Sequence, residues 1–349
     1  MKFRLFSASF CLLFFCTLPA LSQSDWPMYG HDDGSTRYSA LTQIDTHNVQ
    51  NLTRVWTYHM KKGGPASTSA GAASFGGGRR LSQATPIVVK GVMYLPTPYG
   101  TIIALEPETG KEIWTYKVEK GRPAGRAVSY WPGDKTTPAS LLFGTSDGHL
   151  ISLNAETGKP TAGFGEGGSI DIKKDVTNGY PRARLFMSSP PSIYKNIVIT
   201  GGQTQESPGV GASADTRGWD VHTGKLVWQF HSVPHPGEVG NDTWAGDSWK
   251  NRSGTNVWGF MSVDERRGLV FLPYGSPSYD FYGADREGKN LFGNSIVALH
   301  AATGKLAWYF QTVHHDITDY DLESAPVLMD VTHKGKKIPA VAIMGKAGL

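Results

Sequence analysis

Three aspartates and one lysine near the end of the sequence are residue types that can take part in the oxidation of a hydroxyl group. Asp316, Asp319 and Asp321 lie in the segment HHDITDYDLES, and Lys346 follows in MGKAGL. Removing a hydride from a hydroxyl-bearing carbon needs a base close to the hydroxyl proton, and a carboxylate held by a metal ion can be that base. A lysine can stabilise negative charge as it develops on an electron acceptor. The segment predicts an oxidation site, and the alternative is that its aspartates are ordinary turn carboxylates.

Internal repeats determine the architecture that must position these residues. Each unit predicts a β-strand, a turn with a Thr-Gly pair and a second strand, and in three of the four units that strand ends on tryptophan. Glycine provides the positive φ angle that such a turn needs. The tryptophans Trp114, Trp228 and Trp308 can pack as flat wedges between neighbouring sheets. The units read ALEPETGKEIW (104–114), SLNAETGKP (152–160), GWDVHTGKLVW (218–228) and ALHAATGKLAW (298–308).

Short apolar strands flank the Thr-Gly turns, at residues 87–95, 141–153, 196–202 and 268–275. Four short strands per repeat, repeated radially, are typical of a β-propeller. The opening segment, which ends on Trp56, has the pattern of the first strand and first turn of such a ring. We predict an all-β fold, a β-propeller of four-stranded antiparallel W-type sheets, with about four to five blades present in this sequence.

The first residues of the chain predict export. Basic residues precede an apolar run that ends in small residues, which is the pattern of a secretory signal peptide over residues 1–22. Both cysteines, Cys11 and Cys16, fall within it, so the partial propeller domain over residues 23–349 has no thiol for a disulfide, a zinc site or a haem attachment. No later apolar run is long enough to cross a membrane. The net charge of +4 is small and no basic run stands out, so nucleic acid is not an expected partner.

The Thr-Gly repeats, the segment HHDITDYD and Lys346 together resemble the quinoprotein dehydrogenases, which use pyrroloquinoline quinone (PQQ), and most closely their glucose and polyol branch. The resemblance implies an eight-bladed ring, a periplasmic location, and a chain truncated after the first half to two thirds of that ring. It also implies that Asp319 is the catalytic base and that Lys346 contacts the quinone.

Further positions match the PQQ contacts of that family. Trp258, in TNVWGF, matches the tryptophan whose broad π-face lies against the quinone, and the alternative is a core wedge. Arg126 matches an arginine that pairs with a quinone carboxylate, a role that suits its fork of donors. Gln83 and Ser188 match polar contacts to the rim of the cofactor. Alcohol-oxidising members carry two adjacent cysteines at this site, and their absence here argues against the methanol and ethanol branches.

The resemblance also implies a metal site. Glu206, in GGQTQESPG, occupies the position of the family's metal-binding carboxylate, and Asp319 is the second carboxylate. Oxygen ligands of this kind suit Ca²⁺, and another metal is the alternative. The family's amide ligand is replaced by Ser276, whose hydroxyl is a poorer ligand. We expect Asp321 on the same strand face as Asp319, where it could add a further carboxylate.

Two histidines, His314 and His315, precede the aspartates. Successive side chains of a strand face opposite ways, so both imidazoles cannot easily reach one metal ion. We expect one of them to line the substrate entrance and the other to pack.

The sequence thus predicts PQQ- and metal-dependent oxidation of a sugar or polyol hydroxyl by hydride transfer to the quinone. The electrons would pass to a cytochrome or to ubiquinone, neither of which this chain encodes. One alternative is a non-enzymatic PQQ-repeat propeller that serves as a protein-interaction scaffold in the bacterial envelope, and another is an inactive truncated remnant. The joint presence of Asp319, Lys346, Trp258, Glu206 and Arg126 favours the enzyme, because a scaffold does not need them. The sequence does not identify the substrate.

Overall fold

The computed structural model describes residues 25–60 and 82–348, and the predicted signal peptide over residues 1–22 lies outside them. Within these ranges the regular structure is β-strand, apart from 3₁₀ turns at Val49–Asn51 and Asn241–Thr243. The strands form four four-stranded sheets and one two-stranded hairpin.

Each four-stranded sheet is an antiparallel meander in which spatial order follows chain order. Sheet 1 contains β1 (Ile87–Val89), β2 (Val92–Pro96), β3 (Thr101–Leu105) and β4 (Glu112–Lys117). Sheet 2 contains β5 (Ser129–Trp131), β6 (Ser140–Gly144), β7 (His149–Asn154) and β8 (Ser169–Asp171). Sheet 3 contains β9 (Ser192–Tyr194), β10 (Ile197–Thr200), β11 (Thr216–Asp220) and β12 (Leu226–Phe230). Sheet 4 contains β13 (Ser262–Asp264), β14 (Leu269–Pro273), β15 (Ser295–His300) and β16 (Leu306–Gln311), and the hairpin contains β17 (Val327–His333) and β18 (Lys336–Ala342).

The sheets lie side by side around a common centre. The first strands of successive sheets contact one another, β5 with β9, β9 with β13, and β13 with β17 of the hairpin. The fourth strands lie outermost, and both β4 and β16 expose much of their surface. This radial arrangement confirms the predicted all-β propeller of four-stranded antiparallel sheets, with four sheets and a hairpin in the described residues.

Apolar side chains fill the spaces between the sheets. Ile102 and Phe143 belong to a buried cluster that joins sheets 1 and 2, and Leu150 and Val198 belong to one that joins sheets 2 and 3. A third cluster joins sheets 3 and 4. Each fully buried side chain of this size contributes about 1.5–3 kcal/mol relative to the exposed state. The interfaces between sheets are therefore the main core of the fold.

The Thr-Gly turn of one sheet receives the tryptophan of the preceding sheet. Trp114, in β4, donates from Nε1 to the Ala155 carbonyl at 3.1 Å. Its ring covers Gly158, where a Cβ atom would lie 2.5 Å from the Cε3 atom of the tryptophan. Trp228 makes the same contact between sheets 3 and 4, with Nε1 3.0 Å from the Ala301 carbonyl oxygen. The predicted packing role of these two tryptophans is confirmed.

Trp56, from the opening segment, uses the same contact. Its Nε1 donates to the Pro107 carbonyl at 3.0 Å, and its ring covers Gly110 of the first Thr-Gly turn. Residues 52–59 carry no assigned strand, so the opening segment supplies the wedge without a strand ladder.

Two parts of the repeat pattern differ from the prediction. Trp308 is 38% exposed, and its ring packs 5.8 Å from the ring of Phe271 in its own sheet, so the described residues do not show it as a wedge between sheets. The second Thr-Gly turn is not followed directly by a strand, because the chain makes a single bridge at Pro160 and resumes pairing only in β8. Proline has no N–H to donate to a ladder, which explains the delay.

The start of the described chain connects distant sheets. Trp26 forms an antiparallel bridge with Val88 of β1, and the carbonyl of Asp33 accepts a hydrogen bond from Val263 of β13 at 2.8 Å. Burial, with smaller contributions from the charges of Glu265 and Asp32, raises the pKa of the Asp33 carboxyl to about 6. The predicted first strand is thus reduced to one bridge, while the segment fastens sheet 1 to sheet 4.

In the two described ranges, no helix is both long enough and apolar enough to cross a membrane.

Candidate functional site

The predicted base and the predicted lysine are in direct contact. Lys346 Nζ donates to Asp319 Oδ2 at 2.7 Å and to Asp321 Oδ2 at 2.9 Å. The backbone N–H of Lys346 also donates to the Asp321 carbonyl at 2.9 Å, which fixes the turn after β18 against the aspartate loop. Both aspartates lie outside the strands, and Asp319 has a φ of 58°, a left-handed conformation that aspartate tolerates better than most residues. The expectation that they share a strand face was wrong, because a loop brings the two carboxylates together.

Asp321 links the lysine to the predicted stacking tryptophan. Trp258 Nε1 donates to Asp321 Oδ2 at 2.9 Å, and the Ser276 backbone N–H donates to Asp321 Oδ1 at 2.7 Å. Arg126 Cζ lies 5.1 Å and Lys346 Nζ 5.7 Å from the centroid of the Trp258 ring. Both cations are within the range in which a π-face attracts positive charge. The half-buried indole is therefore held at its edge by a carboxylate and flanked by two cations.

The main-chain carbonyl of Trp258 is held by three donors. Ser189 Oγ donates to it at 2.7 Å, Ser188 Oγ at 3.0 Å and Arg126 Nη1 at 3.3 Å. Arg126 Nη1 also donates to Ser189 Oγ at 3.0 Å. The structure thus brings the predicted contacts Ser188 and Arg126 to Trp258, where they fix the position of its backbone.

Gln83 lies beside this group. Thr85, two residues later, donates its backbone N–H to the Arg126 carbonyl at 2.8 Å, so the segment runs next to the site. The side chain of Gln83 is exposed. Its role as a cofactor contact stays a prediction.

A further buried carboxylate, Asp280, was missed by the sequence analysis. Asp280 is 6% exposed, and its pKa is raised to about 8, first by burial and then by the charges of Asp319, Asp321 and Glu206, with Lys346 opposing. The shift shows that these carboxylates lie close enough for their charges to act on one another. The signal in the sequence was its place in the loop after β14, which also carries the replaced amide position.

Glu206 reaches this group from another loop. It is exposed and lies after β10, in the segment that begins at the end of that strand. Ser278 Oγ donates to the Gln205 carbonyl at 2.6 Å, which ties the loop of Glu206 to the loop of Asp280.

Ser276 is fully engaged in another network. Its hydroxyl donates to Asp316 Oδ2 at 2.5 Å and accepts from Asn294 Nδ2 at 3.1 Å. Burial opposes ionisation of Asp316, but hydrogen bonds from Ser276, Thr318 and the backbone of Tyr320 outweigh it and hold the Asp316 pKa below its usual value. Asp316 is thus a turn carboxylate that shapes the loop, and the Ser276 hydroxyl takes part in that loop's hydrogen bonds.

The charges of the lysine and the base are set by their mutual contact. Burial raises the pKa of Asp319; the hydrogen bond from Lys346 opposes this and the charge of Asp321 adds to it, so the net pKa lies above the usual value. Burial lowers the pKa of Lys346, but hydrogen bonds to both aspartates outweigh it and raise the net value above the usual range. Lys346 therefore stays a cation, and Asp319 is more basic than an ordinary aspartate.

The two histidines before the aspartates have different surroundings. His315 Nδ1 lies 2.9 Å from the Gly288 carbonyl oxygen and 3.1 Å from Asn290 Oδ1. His314 is exposed and lines an open groove together with Phe310. One imidazole packs and the other faces a groove, and the assignment of that groove as the substrate entrance stays a prediction.

The chemistry of the residues present suits the two groups that the sequence predicts. Burial and then the charges of Asp319, Asp321 and Glu206 raise the pKa of Asp280, and a hard divalent cation such as Ca²⁺ would offset that repulsion. In the described residues the oxygen atoms of Asp280, Asp319 and Glu206 do not all lie within 4.8 Å of one another. The Trp258 ring, flanked by Arg126 and Lys346, suits a planar anion.

Comparisons with known proteins show the family and the fold of this chain. Residues 26–349 match the PQQ family, described as the β-propeller domain of glucose/ethanol/alcohol dehydrogenases. Quinoprotein glucose dehydrogenase A of Acinetobacter calcoaceticus is 32% identical over 358 residues, which cover 95% of this chain and 43% of that protein. The large subunit of glycerol dehydrogenase from Gluconobacter oxydans (strain 621H) is 31% identical, over 94% of this chain and 44% of that protein.

Solved structures of dehydrogenases superpose on this fold. The quinohemoprotein alcohol dehydrogenase of Comamonas testosteroni superposes with a TM-score of 0.76 and 28% identity, over 93% of this chain and 46% of that one. A europium-containing methanol dehydrogenase superposes with a TM-score of 0.72 and 25% identity, over 92% of this chain and 55% of that one. The chain spans less than half the length of the two curated relatives.

Proposed function

Because the chain belongs to the PQQ family of glucose/ethanol/alcohol dehydrogenase β-propellers, we propose that it supplies the cofactor- and substrate-facing part of a quinoprotein dehydrogenase that oxidises a sugar or polyol hydroxyl. The observation that carries the proposal is the contact network in which Lys346 bridges Asp319 and Asp321, while Asp321 also holds the Trp258 indole. A base, a cation and a stacking surface thus meet at one place. A protein-interaction scaffold built from the same repeats has no use for this network.

The residues proposed to hold PQQ surround the tryptophan. Trp258 offers the stacking face, Arg126 and Lys346 offer positive charge to the anionic cofactor, and Ser188 and Gln83 offer polar groups at the rim. When bound, PQQ supplies the acceptor of two electrons that the amino-acid side chains cannot supply. The hydrogen bonds from Arg126 and Ser188 to the Trp258 carbonyl support the proposal, because they fix the stacking residue in place before the cofactor binds.

The proposed metal site uses three carboxylates. Glu206, Asp319 and Asp280 would hold Ca²⁺, an ion that takes 6–8 oxygen ligands, many of them carboxylates. Asp280 lies in the same loop as Ser276, whose hydroxyl is engaged by Asp316. We propose that Asp280 compensates for the amide ligand that Ser276 replaces.

The proposed base is Asp319. It accepts the proton of the substrate hydroxyl at a carboxylate oxygen. Lys346 keeps this carboxylate oriented through the hydrogen bond to Oδ2. A wrong orientation of the base would cost rate even with all groups present.

The proposal extends to the cellular location, the electron acceptor and the substrate of the enzyme. The basic and apolar pattern of residues 1–22 supports export to the periplasm. Electrons would pass to a cytochrome or ubiquinone. The names of relatives that act on glucose and on glycerol support a polyhydroxylated substrate.

The test is turnover by the chain loaded with PQQ and CaCl₂, followed as dye reduction with glucose and with glycerol. We expect Asp319→Asn to abolish turnover while PQQ binding persists, because the amide keeps the shape of the side chain but cannot take a proton. The matched control is Asp330→Asn, at an exposed aspartate of β17, which should leave turnover unchanged. Full turnover in Asp319→Asn would remove this residue from the role of base.

A further inference from the structure

The loop after β12 gathers two histidines and a glutamate. His231 follows directly on the last residue of β12, and His235 and Glu238 come next in the loop HSVPHPGE. The atoms of these three side chains that could bind a metal ion all lie within 4.8 Å of one another. Among the residues that the structure describes, no other three side chains of histidine, cysteine, aspartate or glutamate meet this condition. None of the three belongs to the site around Asp319.

Local hydrogen bonds fix the shape of this cluster. Glu238 accepts from the His235 backbone N–H at 2.7 Å, and its own N–H donates to the His235 carbonyl at 2.9 Å. His231 Nδ1 lies 2.8 Å from Glu238 Oε1, and the two imidazole rings are stacked with centroids 3.9 Å apart. The side-chain amide of Asn241 donates to the Pro234 carbonyl at 2.8 Å, which closes the loop on itself. These hydrogen bonds thus already hold the three side chains close together before any ion binds.

We propose that His231, His235 and Glu238 bind a divalent transition metal ion, with Zn²⁺ as the best match. Two imidazoles and one carboxylate are the ligands that borderline ions such as Zn²⁺ prefer, whereas Ca²⁺ prefers oxygen ligands alone. Tetrahedral bonds of about 2.0–2.1 Å place neighbouring ligand atoms about 3.3 Å apart, so small rotations of side chains within the 4.8 Å limit complete the geometry. His235 and Glu238 are exposed, which leaves the fourth position to water.

A bound ion would stabilise one edge of a surface groove. Glu238 lines an open groove of about 830 Å³ that is also lined by Lys289, Phe310 and His314. His231 is anchored at the end of a strand, while His235 and Glu238 belong to the loop. A bound ion joins the two parts by coordinate bonds, so it stabilises this wall of the groove relative to the metal-free protein. The alternative is that the cluster is only a hydrogen-bonded His231–Glu238 pair that binds no metal.

The experiment is isothermal titration of ZnCl₂ into the chain, produced with a histidine-free tag, stripped with EDTA and kept in excess CaCl₂. We expect one Zn²⁺ per chain, an affinity at least about 50-fold weaker in His235→Ala, and no change in His333→Ala, whose histidine is exposed at the end of β17. Glu238→Gln is a second variant that can still accept the His235 N–H and should fold, so weak binding there reports on the lost carboxylate.

Three results would overturn the proposal. They are no stoichiometric binding by the unaltered chain, equal affinities in His235→Ala and His333→Ala, or full competition by Ca²⁺. X-ray absorption of the loaded chain should show histidine scattering at about 2.0 Å, and a shell of water oxygens alone would also contradict it. Thermal unfolding of each variant without metal separates loss of ligands from loss of fold.

Discussion

Replacing Trp228 with alanine should remove a wedge contact between sheets 3 and 4. The side chain is 7% exposed, and its Nε1 donates to the Ala301 carbonyl at 3.0 Å. Truncation of a buried tryptophan costs about 3–5 kcal/mol, and a carbonyl left without its donor costs about 1 kcal/mol more. We therefore expect a loss of about 4–6 kcal/mol.

Trp308 offers a matched control within the same chain. Trp228 pairs with Gly218 and Trp308 pairs with Ala298, at the same place in the two repeats. Trp308 is 38% exposed, so truncation should cost about 1–2 kcal/mol, since much of the ring is already in water. The difference between the two variants measures the wedge contact, because residue type and position in the strand are the same.

The assay is thermal unfolding followed by circular dichroism. With about 300 ordered residues, the entropy of unfolding is about 0.6 kcal/mol/K, so Trp228→Ala should lower the Tm by about 8 °C and Trp308→Ala by about 2 °C. Equal losses in the two variants would refute the reasoning, because the wedge contact would then add nothing to burial. A larger loss in Trp308→Ala would reverse the assigned roles.

Two further predictions follow from the packing. Gly304→Ala should lower the Tm by several degrees more than Gly335→Ala. Both glycines have positive φ, but a Cβ at Gly304 would lie 2.5 Å from the Trp228 ring, whereas nothing lies within 4 Å of a Cβ at Gly335. Equal losses of Tm in the two variants would contradict this prediction. Asp33→Asn should stabilise the fold at pH 8 by up to about 3 kcal/mol and have little effect near pH 4. The pKa of Asp33 is raised to about 6 in the folded state, so ionisation costs stability as pH rises from about 4 to 6, and the amide removes that cost. A pH series of urea unfolding curves checks this, and a benefit that is the same at both pH values would contradict it.

The repeats could be predicted from the sequence because their signals are local. Alternating apolar residues and a Thr-Gly pair define each hairpin within about ten residues, and Trp114 and Trp228 dock as expected. The delay of the fourth strand in sheet 2 also has a local cause, the proline at position 160, but its effect depends on where pairing resumes. That choice is made by the sheet as a whole.

The site was predictable only where the resemblance marked a residue. Lys346, Asp319 and Trp258 do meet in the structure, although they lie on separate loops. Asp280 was missed because nothing in SPSYDFY shows that the carboxylate is buried among other acids. Burial and the closeness of charges from distant loops are properties of the folded chain. The prediction that Asp321 shares a strand face with Asp319 was wrong for the same reason, because both residues lie in a loop.

The most direct test of the central claim is PQQ binding by the chain, measured by equilibrium dialysis with and without CaCl₂. We predict one saturable site that needs Ca²⁺, with affinity reduced at least about tenfold in Lys346→Met, because a cation that would attract the anionic cofactor is lost. Lys337→Met, at an exposed lysine of β18, is the control and should bind as the unaltered chain does. Absence of saturable binding, or equal affinity in the two variants, would contradict the assignment of this cluster as a PQQ site.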